Sequence, residues 1–529
     1  MVRKVGRVRL VVRHTSAPSG PRRRRASMPH LDTHGPRHVP YPNMQSKLAV
    51  LVLGAAAPFA ALAADVSAAH SEVIQLVETH AAAYRDVSRK VWEFAEMGYQ
   101  EKKSSALLQA TLAAAGFDVK AGVAEIPTAF VASWGQGKPV IGILGEFDSL
   151  PGLSQDAVPE RKPLIAGAPG HGCGHNLLGA GGALATVSIK DYLAAHRLPG
   201  TVRYYGTPAE EGGSGKVYMV RAGLFNDVDV VLHWHPGDSN TVTTGAGMLA
   251  VITAKFEFHG LASHAAASPE KGRSALDGLM IMSTAVEFLR EHVPSATRIH
   301  YIVTKGGAAP NIVPDDAELF LYARHPSMTV LSGIWERILK CANGAAMATE
   351  TTVECRIVSS DANIVNNTPL SERVYRNFTE IGGLTYTPVE ETFAEKLVPL
   401  LPAGTTAKLG SERLVQPLER ERGEGGGAST DVGDVSWNVP TIGITAATWV
   451  PGTPAHTWYA TAASGMAIGQ DGMVLAAKVL AVTAQDLFTE PALLAAAKAD
   501  FAKRMEGLQY ESKIPLNQRP PLDYRNSSK

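Results

Sequence analysis

The stretch His171-Gly172-Cys173-Gly174-His175-Asn176 constrains this chain more than any other. A thiolate and an imidazole two residues apart, set among glycines, can close on one metal ion. The stretch leaves a loop rich in proline and glycine. It then enters a run of small residues, 177–195, that reads as a helix. Taken alone it fits a metal clip, a structural zinc corner or a buried thiol. Whether other segments deliver ligands to the same place decides between these.

The order of elements predicts where that place is. Short β-rich runs at 129–132, 140–144, 202–205 and 228–232 alternate with helical patterns at 70–103, 105–115 and 177–195. Such alternation predicts an α/β sheet, and ligands of such sheets gather beyond the carboxyl ends of the strands. Candidate ligands stand at those ends. The run 140–144 leads into Glu146-Phe147-Asp148, and 202–205 leads into Glu210-Glu211-Gly212-Gly213. The run 228–234 carries His233 and delivers His235, and a strand at 441–445 precedes His456. Each signal is weak singly, since adjacent acids are usually solvated. Together, Cys173, His175, Glu211 and His235 supply in order what a metal site at a sheet edge needs. One carboxylate of an adjacent pair can bind metal while the other stays free as a general base. A carboxylate such as Asp148 can orient a metal-bound imidazole.

The character of the chain changes near Gly245. A half-buried strand at 252–258, a helix at 274–291, strands at 298–304 and 317–323, a helix at 330–345 and a strand at 351–358 follow. The order β-α-β-β-α-β predicts a ferredoxin-like insertion over 246–362, with an exposed sheet edge as a dimer surface. The flanking parts, 65–245 and 363–488, then form one catalytic domain, with helices at 370–382 and 462–488. The tail 489–529 reads as one more helix followed by irregular, proline-rich chain.

At 529 residues the chain is too long for one core. Residues 1–43 hold ten Lys/Arg against one acid, Asp32, which leaves 40 basic and 49 acidic groups elsewhere. A body about nine charges negative argues against nucleic-acid binding. From Met44, a lysine, the apolar run 48–57 and Ala61-Leu62-Ala63 have the order of a secretory signal peptide over 44–64, cleaved after Ala63 or Ala64. Met44 is then the expected start, 1–43 an over-called or disordered extension, and the location periplasmic or secreted. The alternative is a cytoplasmic enzyme with a basic tail. The apolar run is shorter than the roughly 20 residues of a membrane span, and none is expected after cleavage. Three cysteines do not suggest a disulfide scaffold.

Seven ordered stretches carry a resemblance: HGCGHNLLGAGGALA, GTPAEEGGSGK, HWHPG, SHAAASPEKGRSALDG, GGAAPNIVPD, STDVGDVSWNVPT and GTPAHTW. Over about residues 70–520 the chain resembles the M20 metallopeptidase/amidohydrolase family, in the branch with a Cys-Gly-His metal motif. The resemblance implies a mixed-sheet, zinc-peptidase-like catalytic domain with an inserted lid and dimerisation domain. It implies two divalent ions per subunit, zinc or manganese, held by Cys173, His175, Glu211, His235 and His456. Glu210 would be the general base. Counting along the family's third motif from Asp229 selects His235 rather than His233. His264 matches a lid histidine that reaches an active site, often the neighbouring subunit's. Asn311 and Arg324 match lid positions that hold the substrate's carbonyl or carboxylate. Asp148 and Asn176 would stand behind the ligands; many relatives have Asp where Asn176 stands.

The implied activity is hydrolysis of the amide bond of an N-acyl amino acid, p-aminobenzoyl-glutamate foremost. Hippurate-like or β-alanyl-lysine-like substrates, or a non-catalytic binding role within a heteromeric hydrolase, are the alternatives. The implied assembly is a homodimer or a heteromer with a homologous subunit.

Overall fold

The structure is a computed structural model, and it describes residues 67–245, 247–405, 408–419 and 427–525. The expected basic extension and signal segment lie outside the described residues. Eleven strands are β1 (Asp118–Ala121), β2 (Phe130–Gln136), β3 (Val140–Gly145), β4 (Gly200–Gly206), β5 (Val230–Gly237), β6 (Thr241–Thr243), β7 (Ala250–His259), β8 (Arg298–Lys305), β9 (Asp316–His325), β10 (Thr352–Asp361) and β11 (Thr441–Ala447). They form two sheets among the described residues.

The larger sheet has the order β1-β2-β4-β3-β5-β11-β6. Its centre, β4-β3-β5-β11, is parallel, and antiparallel strands close both edges. The central strands are buried almost throughout, as a sheet covered on both faces requires. Alternate residues part to opposite faces. Ile141, Ile143, Tyr204, Leu232, Trp234 and Ile444 pack under α1 (Ala68–Phe94), α3 (His175–His196) and α12 (Ala467–Thr489). Leu144, Tyr205 and Val231 meet α5 (Gly215–Arg221) and α10 (Val432–Ser436). Helix α12 is long and apolar enough to cross a membrane, yet it is mostly buried inside the protein as a core helix.

Two helices are shorter than their periodicity predicts. The pattern at 70–103 divides into α1 and α2 (Lys102–Ala114), because Ala95 turns left-handed with φ 44° and caps Val91. The expected helix 462–488 divides at Gly465 into α11 (Trp458–Ser464) and α12. The Trp92 indole lies where a Cβ on Gly465 would sit, 2.5 Å away, so a continuous helix with a side chain there has no room. Strands β1 and β6 and helix α9 (Pro388–Leu397), which opens on a Thr387/Glu390 capping box, carry too little periodicity to be predicted.

The smaller sheet has the order β10-β7-β9-β8, antiparallel throughout. With α6 (Ala275–Leu289) and α7 (Met328–Thr349) on one face it follows the β-α-β-β-α-β path. Strand β9 alternates strictly, with Ala317, Leu319, Leu321 and Ala323 turned into that core. At the free edge, β8 exposes Ile302 and Val303, and α6 exposes Met280, Ile281 and Phe288.

The chain re-enters the larger unit through α8 (Thr368–Ile381) and closes with α13 (Pro491–Arg504).

Candidate metal centre and active site

The site forms at the carboxyl ends of β3, β4 and β5. Gly174 takes φ 76° to start α3, and Pro236 lies 2.8 Å from where its Cβ would be. Only glycine lets this strand-to-helix turn come so close to β5. Cys173 and His175 then face β5, where Cys173 Sγ lies 3.3 Å from His235 Nε2.

Both imidazoles turn a bare nitrogen inward. His175 Nδ1 donates to Asp148 at 2.8 Å, and His235 Nδ1 donates to the Pro236 carbonyl at 2.7 Å. Each Nε2 is thereby left as an acceptor, the arrangement that prepares a histidine for a metal.

The carboxylate pair sits on a strained turn. Ala209, Gly212 and Ser214 have φ of 60°, 99° and 52° around the short helix α4 (Glu210–Gly213). Two buried acids hold this turn by its backbone: Glu101 accepts from Ala209 N at 2.9 Å and Asp148 from Glu211 N at 2.9 Å. The twist sends the two glutamates to different neighbours. Glu211 Oε1 faces His456 Nε2 at 3.3 Å. Glu210 groups with Glu146 and His175. His456 itself sits at φ 59°, with its N–H bonded to the Gly172 carbonyl at 2.8 Å.

Three groups of donor atoms result, each within 4.8 Å: Cys173/His175/His235, Cys173/Glu211/His456 and Glu146/His175/Glu210. Cys173 belongs to the first two, as a ligand shared between two ions would. Glu146 Oε2, His175 Nε2 and Glu211 Oε1 are buried without hydrogen-bond partners. Burial, then the Glu146 and Glu211 charges, pushes the Glu210 carboxyl well above the usual range. Burial, then Glu211, does the same to the Cys173 thiol. A thiol, imidazoles and carboxylates crowded together out of water fit divalent cations, whose charge reverses both shifts.

The remaining sequence candidates separate. Asp148 stands behind His175 as described. His233 lines the cleft but joins no donor group; burial pushes its imidazole down to about 4. Asn176 is buried, and its amide donates to the carbonyls of Ser88 at 3.3 Å and Ser464 at 3.0 Å, so it ties α3 to α1 and α11. Arg324 lines the cleft from β9. His264 and Asn311 do not line it. They are exposed neighbours on paired lid loops, joined by Ala265 N to the Asn311 carbonyl at 3.0 Å.

The sequence alone assigns no role to the buried cation behind the site. Lys216 is fully buried, with Nζ 2.6 Å from Glu146 Oε1 and 2.6 Å from Asp431 Oδ1. Burial raises the Glu146 carboxyl, but Lys216 and His175 more than offset it and the net shift is downward. Both Lys216 and Asp431 stand inside the stretches GTPAEEGGSGK and STDVGDVSWNVPT. A lysine beside glycines after two glutamates is the available signal.

Glu101 offers a pH test of the turn. Burial, then the Asp148 charge, pushes its carboxyl up to about 8. A raised pKa in the fold favours the neutral form, so stability is full below the unfolded pKa of about 4.3 and is lost as pH rises through 8. In metal-free protein, Glu101→Gln should therefore gain on wild type from pH 5 to pH 8, by on the order of 2 kcal/mol, and level off above. Urea midpoints across that range check it; a difference independent of pH would contradict it.

The cleft over these groups has a volume of about 430 Å³, within the range of small-molecule sites. Thr253, Tyr322, Arg324 and Ser359 of the lid face Glu146, Cys173, Glu210, Glu211 and His235 across it.

Comparison with known proteins places this arrangement. Residues 145–408 match the model of peptidase family M20/M25/M40. The chain is 38% identical over 476 residues to one of the two chains of p-aminobenzoyl-glutamate hydrolase of Escherichia coli, covering 84% of this chain and 97% of that one. It is 30% identical over 466 residues to the Xaa-Arg dipeptidase of Mus musculus, covering 85% of this chain and 96% of that one. The fold is shared with a dinuclear metal-binding M20 peptidase of Bacillus subtilis, with a TM-score of 0.53 at 16% identity over 78% of this chain and 99% of that one. The chain belongs to the M20/M25/M40 peptidase family.

Proposed function

We propose that this protein is a two-metal amidohydrolase that cleaves p-aminobenzoyl-glutamate to p-aminobenzoate and glutamate. The observation that carries this reading is the cleft floor. There Cys173, His175, His235, Glu211 and His456 turn ligand atoms toward one another, with Glu210 beside them. Cys173, His175 and His235 would hold one ion, and Cys173, Glu211 and His456 the other; mixed S, N and O donors suit zinc or manganese. Two bound cations supply a water acidified toward neutrality and a polarised amide carbonyl.

The chain's own groups do the rest. Glu210 accepts the attacking water's proton and returns it to the leaving nitrogen. The turn held by Glu101 and Asp148 keeps its carboxyl in place. Asp148 fixes the His175 ring through Nδ1, and Pro236 fixes His235. Arg324 can grip a carboxylate bidentately, which favours an acyl amino acid over a neutral amide.

Cys173→Ala tests the metal assignment. Bound metal should fall from two ions per chain to at most one, with turnover falling alongside; two ions retained by elemental analysis would contradict it. A panel of p-aminobenzoyl-glutamate, hippurate and β-alanyl-lysine tests the substrate, with fastest release expected from the first.

His264 and Asn311 lie outside the cleft, on the domain whose free edge exposes Phe288, Ile302 and Val303. We read that edge as the contact with a second copy, whose His264 reaches this cleft. A heteromer with a homologous chain, as the relative's name implies for that protein, is the alternative assembly. Ile302→Asp is expected to give monomers by light scattering with turnover lowered at least tenfold; a fully active monomer would contradict the reading. The export reading rests on the segment 44–64, and cell fractionation tests it.

A further inference from the structure

The tail beyond α13 is built into the protein along its length. Tyr510 donates to Asp434 at 2.8 Å, and Gln518 donates to the Ile357 carbonyl of β10 at 3.0 Å. Arg221 donates to the carbonyls of Pro515 at 3.0 Å and Gln518 at 2.7 Å, and Gln100 to that of Leu522 at 2.7 Å. The segment then arrives at the catalytic turn. The Tyr524 hydroxyl donates to the Glu211 carbonyl at 3.2 Å, and the Arg525 guanidinium donates to the same carbonyl.

Packing holds Arg525 there. Its guanidinium carbon lies 5.0 Å from the centre of the Tyr524 ring, and that ring meets Tyr99 edge-on at 5.7 Å. The Tyr524 hydroxyl lies 2.4 Å from where a Cβ on Gly98 would be, so the absent side chain makes its berth. Arg525 lines the cleft, and its Nε is buried without a hydrogen-bond partner. A buried guanidinium donor without an acceptor is costly, and a carboxylate satisfies it best. Arg324 and Arg525 are the two guanidinium side chains among the described residues lining the cleft, one from the lid sheet and one from the tail.

We propose that Arg525 is a specificity-determining residue that binds the side-chain carboxylate of an acidic amino acid, while Arg324 binds the α-carboxylate. The substrate class is then the N-acyl amino diacid. This rests on the amidohydrolase reading above.

The test uses metal-replete full-length protein and two amides with one acyl group, p-aminobenzoyl-glutamate and p-aminobenzoyl-glutamine, which differ only in the side-chain carboxylate. Wild type should favour the glutamate amide in kcat/KM by about 10- to 100-fold, the scale of one charge-assisted contact. Arg525→Gln should remove that preference through a rise in KM for the glutamate amide alone. Arg525→Lys, which keeps the charge without the fork, should restore part of it. Arg324→Gln should weaken both amides alike. Calorimetry with free glutamate and glutamine should show the same Arg525-dependent preference without turnover.

Equal loss on both amides in Arg525→Gln, or an undiminished preference, would overturn the assignment. Wild type that hydrolyses both amides equally well would overturn it and leave the amidohydrolase reading standing. Wild type that hydrolyses neither amide, yet binds glutamate at least tenfold tighter than glutamine through Arg525, would overturn the amidohydrolase reading and support the carboxylate site.

Discussion

Glu210→Gln is expected to lower kcat by about 10²- to 10⁴-fold, the usual contribution of a positioned general base, while both metal ions stay bound. The reason is geometric. Glu210 is adjacent in sequence to Glu211, but the left-handed Ala209 and Gly212 twist the turn between them. Glu211 is thereby committed to His456, while Glu210 faces Glu146 and His175. Glutamine keeps the shape and the hydrogen-bonding oxygen, and loses only the ability to take and return a proton. KM should change little, because Glu210 has no part in holding the carboxylate end of the substrate. Loss of metal together with activity would make Glu210 a ligand instead. Activity near wild type would remove it from the mechanism.

Lys216→Met is expected to cost about 3–5 kcal/mol of stability, the scale of breaking a buried ion pair on one side. Lys216 is fully buried and joins Glu146, past the end of β3, to Asp431, beside α10. Its backbone N–H also donates to Asp431 at 2.9 Å. Removing the ammonium leaves two carboxylates facing each other out of water. The double variant Lys216→Met with Asp431→Asn should recover part of the loss, since one of the stranded charges is gone. Added metal should also narrow the deficit, because a cation near Glu146 replaces some of the missing charge. Urea unfolding of the single and double variants, with and without chelator, checks both points; a single variant within about 1 kcal/mol of wild type would contradict the ion-pair role.

The parts of this fold legible in the sequence are those where one physical rule acts alone. Strand β9 alternates because one face meets α6 and α7 and the other does not, so its period of two is undiluted. The ligand order from Cys173 to His235 is legible because each residue follows a strand end, and a parallel sheet gathers those ends. The failures come where a tertiary partner overrides local pattern. Nothing local breaks the helix at Gly465; the Trp92 indole from α1 does. Lys216 reads as a surface lysine until Asp431, 215 residues later, folds against it. The tail reads as loose, proline-rich chain because its order comes from Tyr99, Gln100 and Arg221 rather than from its own hydrogen bonds. His264 and Asn311 are legible as candidates, but their place in a single chain is away from the cleft.

The central claim is that two divalent ions and Glu210 together cleave an acyl-amino-acid amide. The most direct test measures p-aminobenzoate release from p-aminobenzoyl-glutamate alongside elemental analysis of the same purified sample. The expected result is two ions per chain, release that chelation abolishes and zinc or manganese restores, and no release from metal-replete Glu210→Gln. Two ions bound with no release from this amide, hippurate or β-alanyl-lysine would contradict it.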